Sequence, residues 1–280
     1  MPASGTAADA VTVIGLGPMG QQIARIYRAA GFTVTVWNRT PGKADGLGAQ
    51  RAETVADAVA ASELLVLSLT HYDAMDEILG SVDLTGKVVV NLSSDSPQRT
   101  RQGAAFVRAR GGEFLAGGVM AQPQELAGPA AYIFYSGPPA VFEAQRELLR
   151  PLAVVEYLGP DDGAAQVFYQ AMLALFLPLL LGYEQALAII DRSGSEMARF
   201  MPYAQRSLGS VGELYAAWAA TAQDGGPADP AYLRMMAAGA RHVVATGAAV
   251  GVDTVLAETV SSYWERSAAA PASTFQIFRG

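Results

Sequence analysis

The stretch from Val11 to Lys43 constrains the fold of this chain more than any other. An apolar run, Val11–Ile14, is followed by Gly15-Leu16-Gly17-Pro18-Met19-Gly20, a helix-forming segment from Gln21 to Ala30, a second strand from Thr33 to Trp37, and Asn38-Arg39-Thr40 with Lys43 one turn on. Strand, glycine turn, helix and strand form the context in which G-x-G-x-x-G means dinucleotide binding. Gly15 permits the tight turn, Gly17 lets backbone approach a pyrophosphate at the positive end of the helix, and Gly20 allows close packing. The end of the second strand selects among dinucleotides. A carboxylate there would hold a ribose 2′-hydroxyl and repel a 2′-phosphate, whereas a guanidinium pairs with the phosphate through charge-assisted hydrogen bonds. Asn38, Arg39, Thr40 and Lys43 therefore point to NADPH/NADP+, against the plainer reading of a glycine-rich turn beside a solvated basic loop.

With 280 residues, 51% of them hydrophobic and 16% charged, the chain can build two domains with separate cores. A net charge of −7 argues against nucleic acid or an anionic membrane as partner. Zero cysteines and two histidines, His71 and His242, exclude disulfides and thiolate chemistry and leave no metal centre expected. Met1–Ala10 lacks the basic and apolar stretches of a signal peptide, so a cytoplasmic location is expected. The longest apolar run, Ala171–Tyr183, spans thirteen residues including Pro178, short of the ~20 a spanning helix requires, and predicts a buried helix.

Strands and helices alternate through the first half as in a doubly wound, mostly parallel α/β domain. Further strands are predicted at Leu64–Leu67, Val88–Asn91, Glu113–Gly118, Ala131–Ser136 and Val154–Tyr157, with helices at Ser96–Arg110 and Pro138–Leu152. After the turn Gly159–Gly163 the strand pattern stops. One strongly apolar helix is predicted over Ala164–Asp191, then helices at Glu196–Ser207, Val211–Gln223, Asp229–Val250 and Asp253–Ser267. The expected division is a Rossmann domain (1–163), an inter-domain helix (164–191) and an all-α dimerisation and substrate domain (192–280). A helix apolar on nearly every face needs more cover than the last ~90 residues easily supply, which predicts a homodimer with intertwined C-terminal helices. A monomer wrapping its own helices is the competing arrangement.

Several segments together resemble one branch of the β-hydroxyacid dehydrogenase (6-phosphogluconate dehydrogenase-like) superfamily, the NADPH-dependent imine reductases. They are Gly15–Gly20 with Asn38–Thr40, Val90–Ser93, Gly118–Pro123 leading to Gly128-Pro129 and Tyr135–Gly137, and Gly163–Gln170. The parent superfamily carries a catalytic lysine on the long helix, and the resemblance puts Tyr169 in its place, with Met172 and Leu173 where asparagine-type residues follow. The loop that grips a substrate carboxylate in hydroxyacid enzymes corresponds to Met120-Ala121-Gln122.

These replacements share a physical logic. An ammonium ~4 Å from a protonated C=N would oppose it by roughly 4 kcal/mol at an effective dielectric of 20, nearly three orders of magnitude in rate. A phenol removes that repulsion yet still donates or accepts a hydrogen bond. The resemblance thus implies hydride transfer from nicotinamide to the carbon of a cyclic imine or iminium, giving a chiral amine, with Tyr169 positioning or protonating nitrogen. Without the resemblance, Tyr169 reads as a core aromatic. The tyrosine type is associated with the S amine, and Leu177 stands where some reductive aminases place a tyrosine, which puts condensation of ketone with free amine in doubt.

Asn91 closes a central strand at the ligand-binding edge of an open α/β sheet, as a cofactor contact or a turn cap. Leu69 and Thr70 follow another strand and are expected near the cofactor; His71 reads as a contact there or as a surface residue, and His242 as structural. Met120, Met172, Trp218, Met235 and Met236, with Tyr232, are expected to wall an apolar substrate pocket or to be plain core. A carbonyl reductase using Tyr169 as proton donor and a non-catalytic NADPH-binding protein are the rival functions.

Overall fold

The computed structural model describes residues 10–223 and 229–269, so the leaderless N-terminus expected above lies almost wholly outside the described residues. The chain divides into two compact units with the boundary between Ala174 and Leu175.

In the first unit, strands β1 (Ala10–Ile14), β2 (Thr33–Trp37), β3 (Gln50–Arg51), β4 (Leu64–Leu67), β5 (Val88–Asn91), β6 (Glu113–Met120), β7 (Tyr132–Ser136) and β8 (Val154–Tyr157) form one sheet in the order β3-β2-β1-β4-β5-β6-β7-β8. All neighbours pair parallel except β6 and β7, which are antiparallel. The register sets the site. Ile14 lies opposite Trp37 and Leu67, Leu67 opposite Asn91, and Asn91 opposite Ala116, so four strands end level and their following loops share one edge.

Helices α1 (Pro18–Ala29), α2 (Val55–Ala60), α3 (Tyr72–Leu79), α4 (Pro97–Arg108) and α5 (Pro139–Leu149) connect the strands. The two-residue alternation of each strand divides the core between the sheet's faces. Val11, Val13, Val66 and Val90 pack with Ile23 and Tyr27 of α1, while Ile14, Leu65, Leu67 and Val89 pack with Tyr72 and Val107 of α3 and α4. The sequence reading missed β3, α2 and α3. Each is short and locally capped: Thr54 and Asp57 close a capping box at α2, and the His71 ring caps α3.

Helix α6 (Ala164–Arg192) starts in the first unit and ends in the second, which also holds α7 (Met197–Gln223), α8 (Pro230–Val250) and α9 (Val255–Ala269). Two expectations are corrected here. The helices expected at 196–207 and 211–223 are one, because Gly209 and Gly212 cost only ~1 kcal/mol each relative to alanine in a helix and supply no break. Helix α6 is not buried within a single chain: Leu175, Leu177 and Leu181 are about half exposed. By length and composition alone α6, 29 residues long, could cross a membrane.

Candidate active site

At the edge where the strands end level, the glycine turn is built by exclusion. Gly15 has φ +94°, open to glycine, donates its N–H to Trp37 O at 3.0 Å, and leaves no room for a side chain against the Ser68 carbonyl. A Cβ on Gly20 would collide with the Gly15 carbonyl, so helix and turn are in contact. A Cβ on Gly17 would meet nothing within 4 Å. Helix α1 therefore opens with Gly17 offering no side-chain cap, Pro18 in the first turn and no acidic residue there, which leaves its positive end facing free space. Leu16 is buried and Met19 half-buried behind this opening.

Asn38 ties the turn to β2: its Oδ1 accepts from Leu16 N–H at 2.9 Å and its Nδ2 donates to Thr40 O at 3.0 Å. Thr40, Lys43 and Arg39 are exposed beyond it, and Arg39 rests against Glu77 of α3 at 3.3 Å. After β4, the Leu69 N–H donates to Ser93 Oγ at 2.9 Å, Thr70 is exposed, and His71 is an exposed helix cap whose Nδ1 accepts from Ala74 N–H at 3.2 Å. Asn91 is fully buried; its Oδ1 accepts from Ser93 N–H at 2.9 Å and its Nδ2 points at Met75 Sδ, so its side chain shapes the loop from within.

The first turns of α6 are seated on the same edge. Arg101 and Arg108 of α4 grip Asp161 and Asp162 through paired contacts of 2.7–2.8 Å. The Arg101 guanidinium, with help from the Gly163 N–H, lowers the Asp161 carboxyl from 3.8 to about 2. Ser136 Oγ donates to Asp162 O at 3.1 Å and accepts from Ala165 N–H at 3.0 Å. Tyr169 is half-buried with its Cβ over β6, where a Cβ on Gly118 would lie 2.8 Å away. Met120 at the end of β6 and Met172 on α6 are half-buried. Ser93, Gln166, Gln170 and the two Arg–Asp pairs were not singled out from sequence; Arg101 and Arg108, seven apart on one helix face, were the available signal.

The remaining expected pocket residues belong to the second unit. Trp218 meets Tyr232 and Trp264 edge-on at 6.0 and 5.8 Å, Met235 is exposed and Met236 half-buried. His242 is exposed on α8.

Residues 10–159 match the NAD binding domain of 6-phosphogluconate dehydrogenase, and residues 161–277 match the NADPH-dependent reductive aminase-like C-terminal domain. A solved imine reductase from Bacillus cereus BAG3X2 is 39% identical, superposes with a TM-score of 0.83, and covers 96% of this chain and 97% of its own. The chain belongs to the imine reductase and reductive aminase family. Within that family, a reductive aminase from Aspergillus terreus in complex with NADPH and ethyl-5-oxohexanoate is 29% identical with a TM-score of 0.89, covering 95% of each chain. A curated NADPH-dependent reductive aminase from Aspergillus oryzae is 33% identical over 66% of this chain; the match spans 65% of that protein's own length.

Proposed function

We propose that this chain is an NADPH-dependent imine reductase, transferring hydride to the carbon of a cyclic imine or iminium to give a chiral amine. The observation that carries the reading is Tyr169: a neutral phenol, half-buried, seated against Gly118 on a helix that bears no lysine or arginine before Arg192. A cationic C=N beside that helix meets a hydrogen-bonding group and no fixed positive charge. The named relatives act as imine reductases or reductive aminases, which supports the same substrate class.

The residues fit NADPH. The open space before Gly17 and the uncapped start of α1 suit a pyrophosphate; Arg39 and Lys43, with Asn38 and Thr40 beside them, suit the 2′-phosphate; Leu69 and Thr70, on the same edge, suit the diphosphate or ribose. Asn91 acts there through Ser93. When bound, NADPH supplies the hydride. The chain's own part is to hold the C=N by a hydrogen bond between its nitrogen and the Tyr169 phenol, which donates to a neutral imine nitrogen and accepts from the N–H of a protonated one, directly or through water, and to screen it from solvent with Met120 and Met172.

The reading extends to a cytoplasmic homodimer with a dinucleotide domain over 1–163, a connecting helix over 164–191 and a helical domain over 192–280. Exposed apolar side chains spread over α6 to α9, among them Leu177, Leu214, Val243 and Val260, suit a second copy better than a bilayer, which would select one continuous belt. The decisive test is NADPH oxidation across a panel of cyclic imines and keto acids with chiral analysis of the product. Turnover of imines with an enantiomeric excess supports the reading. Turnover of keto acids alone makes the chain a carbonyl reductase, and tight NADPH binding with no turnover makes it a cofactor-binding protein.

A further inference from the structure

Gln166 is fully buried, and the chemistry described so far leaves it without a task. A buried amide is costly unless its polar atoms are satisfied. Here its Nε2 donates to Gly117 O at 3.0 Å and to Ser93 O at 3.3 Å, while its Oε1 accepts from Asp95 N–H at 3.4 Å. One turn on, Gln170 Nε2 donates to Ser94 Oγ and Asp95 O at 3.1 and 3.0 Å. One amide therefore joins β6, the loop after β5 and α6, and Ser93 carries the connection to Leu69 N–H.

The platform beneath explains why directional bonds are placed here. Gly118 presents no side chain to α6, so the helix comes close to β6, with the Tyr169 Cβ and the Ala165 carbonyl directly over Gly118. Backbone without side chains forms no ridge that could stop the helix rotating about its axis. The hydrogen bonds of Gln166 do so, and Tyr169, three residues along, is its neighbour on that helix face. We propose that Gln166 is a positioning residue: through the Gly117 carbonyl it fixes the rotation of α6 over Gly118 of β6, and thereby where the Tyr169 phenol stands relative to the loop holding Leu69. This rests on the imine reductase reading of Tyr169.

Gln166→Met keeps length and removes the donor. Alone and combined with Tyr169→Phe, it is tested for kcat, product enantiomer ratio, NADPH affinity by fluorescence, and Tm. The single variant is expected to lower kcat roughly tenfold, to change the enantiomer ratio and to hold NADPH affinity within about threefold. In the Tyr169→Phe background it should lower kcat by less than about twofold, since both changes remove one placement. An unchanged kcat and enantiomer ratio for Gln166→Met, or losses that multiply in the double variant, would overturn the proposal while Tyr169→Phe alone still reports on the tyrosine. If Tyr169→Phe is itself silent, the tyrosine reading fails first and this proposal with it. Should Gln166→Met not fold, Gln166→Asn, which keeps the amide and shortens its reach, is read by the same outcomes.

Discussion

Gly17 and Gly20 stand three residues apart and should respond to substitution in opposite ways. Gly17 has ordinary extended backbone angles and empty space before it, so Gly17→Ala is expected to fold with an unchanged Tm yet to bind NADPH at least about tenfold more weakly, its methyl standing where a phosphate must approach. Gly20→Ala drives a methyl into the Gly15 carbonyl and should lower Tm as well as affinity. Thermal melts beside a fluorescence titration separate the two; equal behaviour would remove Gly17 from the phosphate site. Among the described residues, Arg39 is held by an exposed contact with Glu77, an interaction worth little in water that it can exchange for a phosphate. Losing a charge-assisted contact of about 1.5–3 kcal/mol, Arg39→Ala should weaken NADPH roughly ten- to a hundredfold and NADH by less than about twofold. An equal loss for both would refute the phosphate assignment. Asp161 gives a pH prediction. Its carboxyl is lowered from 3.8 to about 2 by Arg101, so its contribution is complete above pH 4 and lost as pH falls towards 2. Asp161→Asn should lower Tm by about 1–2 °C at pH 6, and the gap to the parent should close near pH 2.

Among the elements, the seat of α6 on β6 is the most sensitive to a small change. Gly118→Ala puts a Cβ 2.8 Å from that of Tyr169 and 3.2 Å from the Ala165 carbonyl, so the helix must lift by some tenths of an ångström. The expected result is a fall in kcat of about tenfold or more with NADPH affinity little changed, since a displacement of this order at the reacting group is costly; steady-state kinetics with a cyclic imine checks it. This contact also shows what could be read beforehand. The segment from Gly118 to Gly137 was recognisable as family pattern, and Tyr169 was reached by aligning Gly163–Gln166, but that the two touch is a tertiary fact without periodicity. Strands β1, β2, β4 and β5 were legible because each is a short apolar run bounded by turn residues. Helix α3 was not, because its start rests on an imidazole ring acting as N-cap, outside the usual set of serine, threonine, aspartate and asparagine. The split expected within α7 left out 208–210, around Gly209, and the structure runs the helix through it, tertiary context overriding a local propensity cost of about 1 kcal/mol. Asn91 was placed correctly at the strand end, but the inward turn of its side chain towards Ser93 depends on the depth of the loop, which no spacing records.

For the whole molecule, the apolar surface of α6 to α9 determines the expected assembly. Leu175, Leu177, Leu179, Leu180 and Leu181 are each between 38 and 54% exposed, and burying one such side chain fully is worth about 1.5–3 kcal/mol. Covering what remains exposed of this set with a second copy, contributed twice by symmetry, is worth about 7–14 kcal/mol, comparable to the cost of association estimated at about 4–15 kcal/mol, and the exposed apolar side chains of α7 to α9 add to it. Sedimentation velocity should therefore give a species of twice the 29.2 kDa chain at micromolar concentration, and the exposed leucines should be the residues that hold it together. Replacing Leu177 and Leu181 together by glutamate places charges on that surface, and the double variant should sediment as a monomer or aggregate while the first unit, to which neither residue belongs, retains NADPH binding. Loss of turnover with retained cofactor affinity would make the second copy part of the working enzyme, as expected if the helical unit needs its partner to enclose a substrate. A parent chain that sediments as a monomer, or one that floats with lipid vesicles, would show instead that the helices find their cover elsewhere.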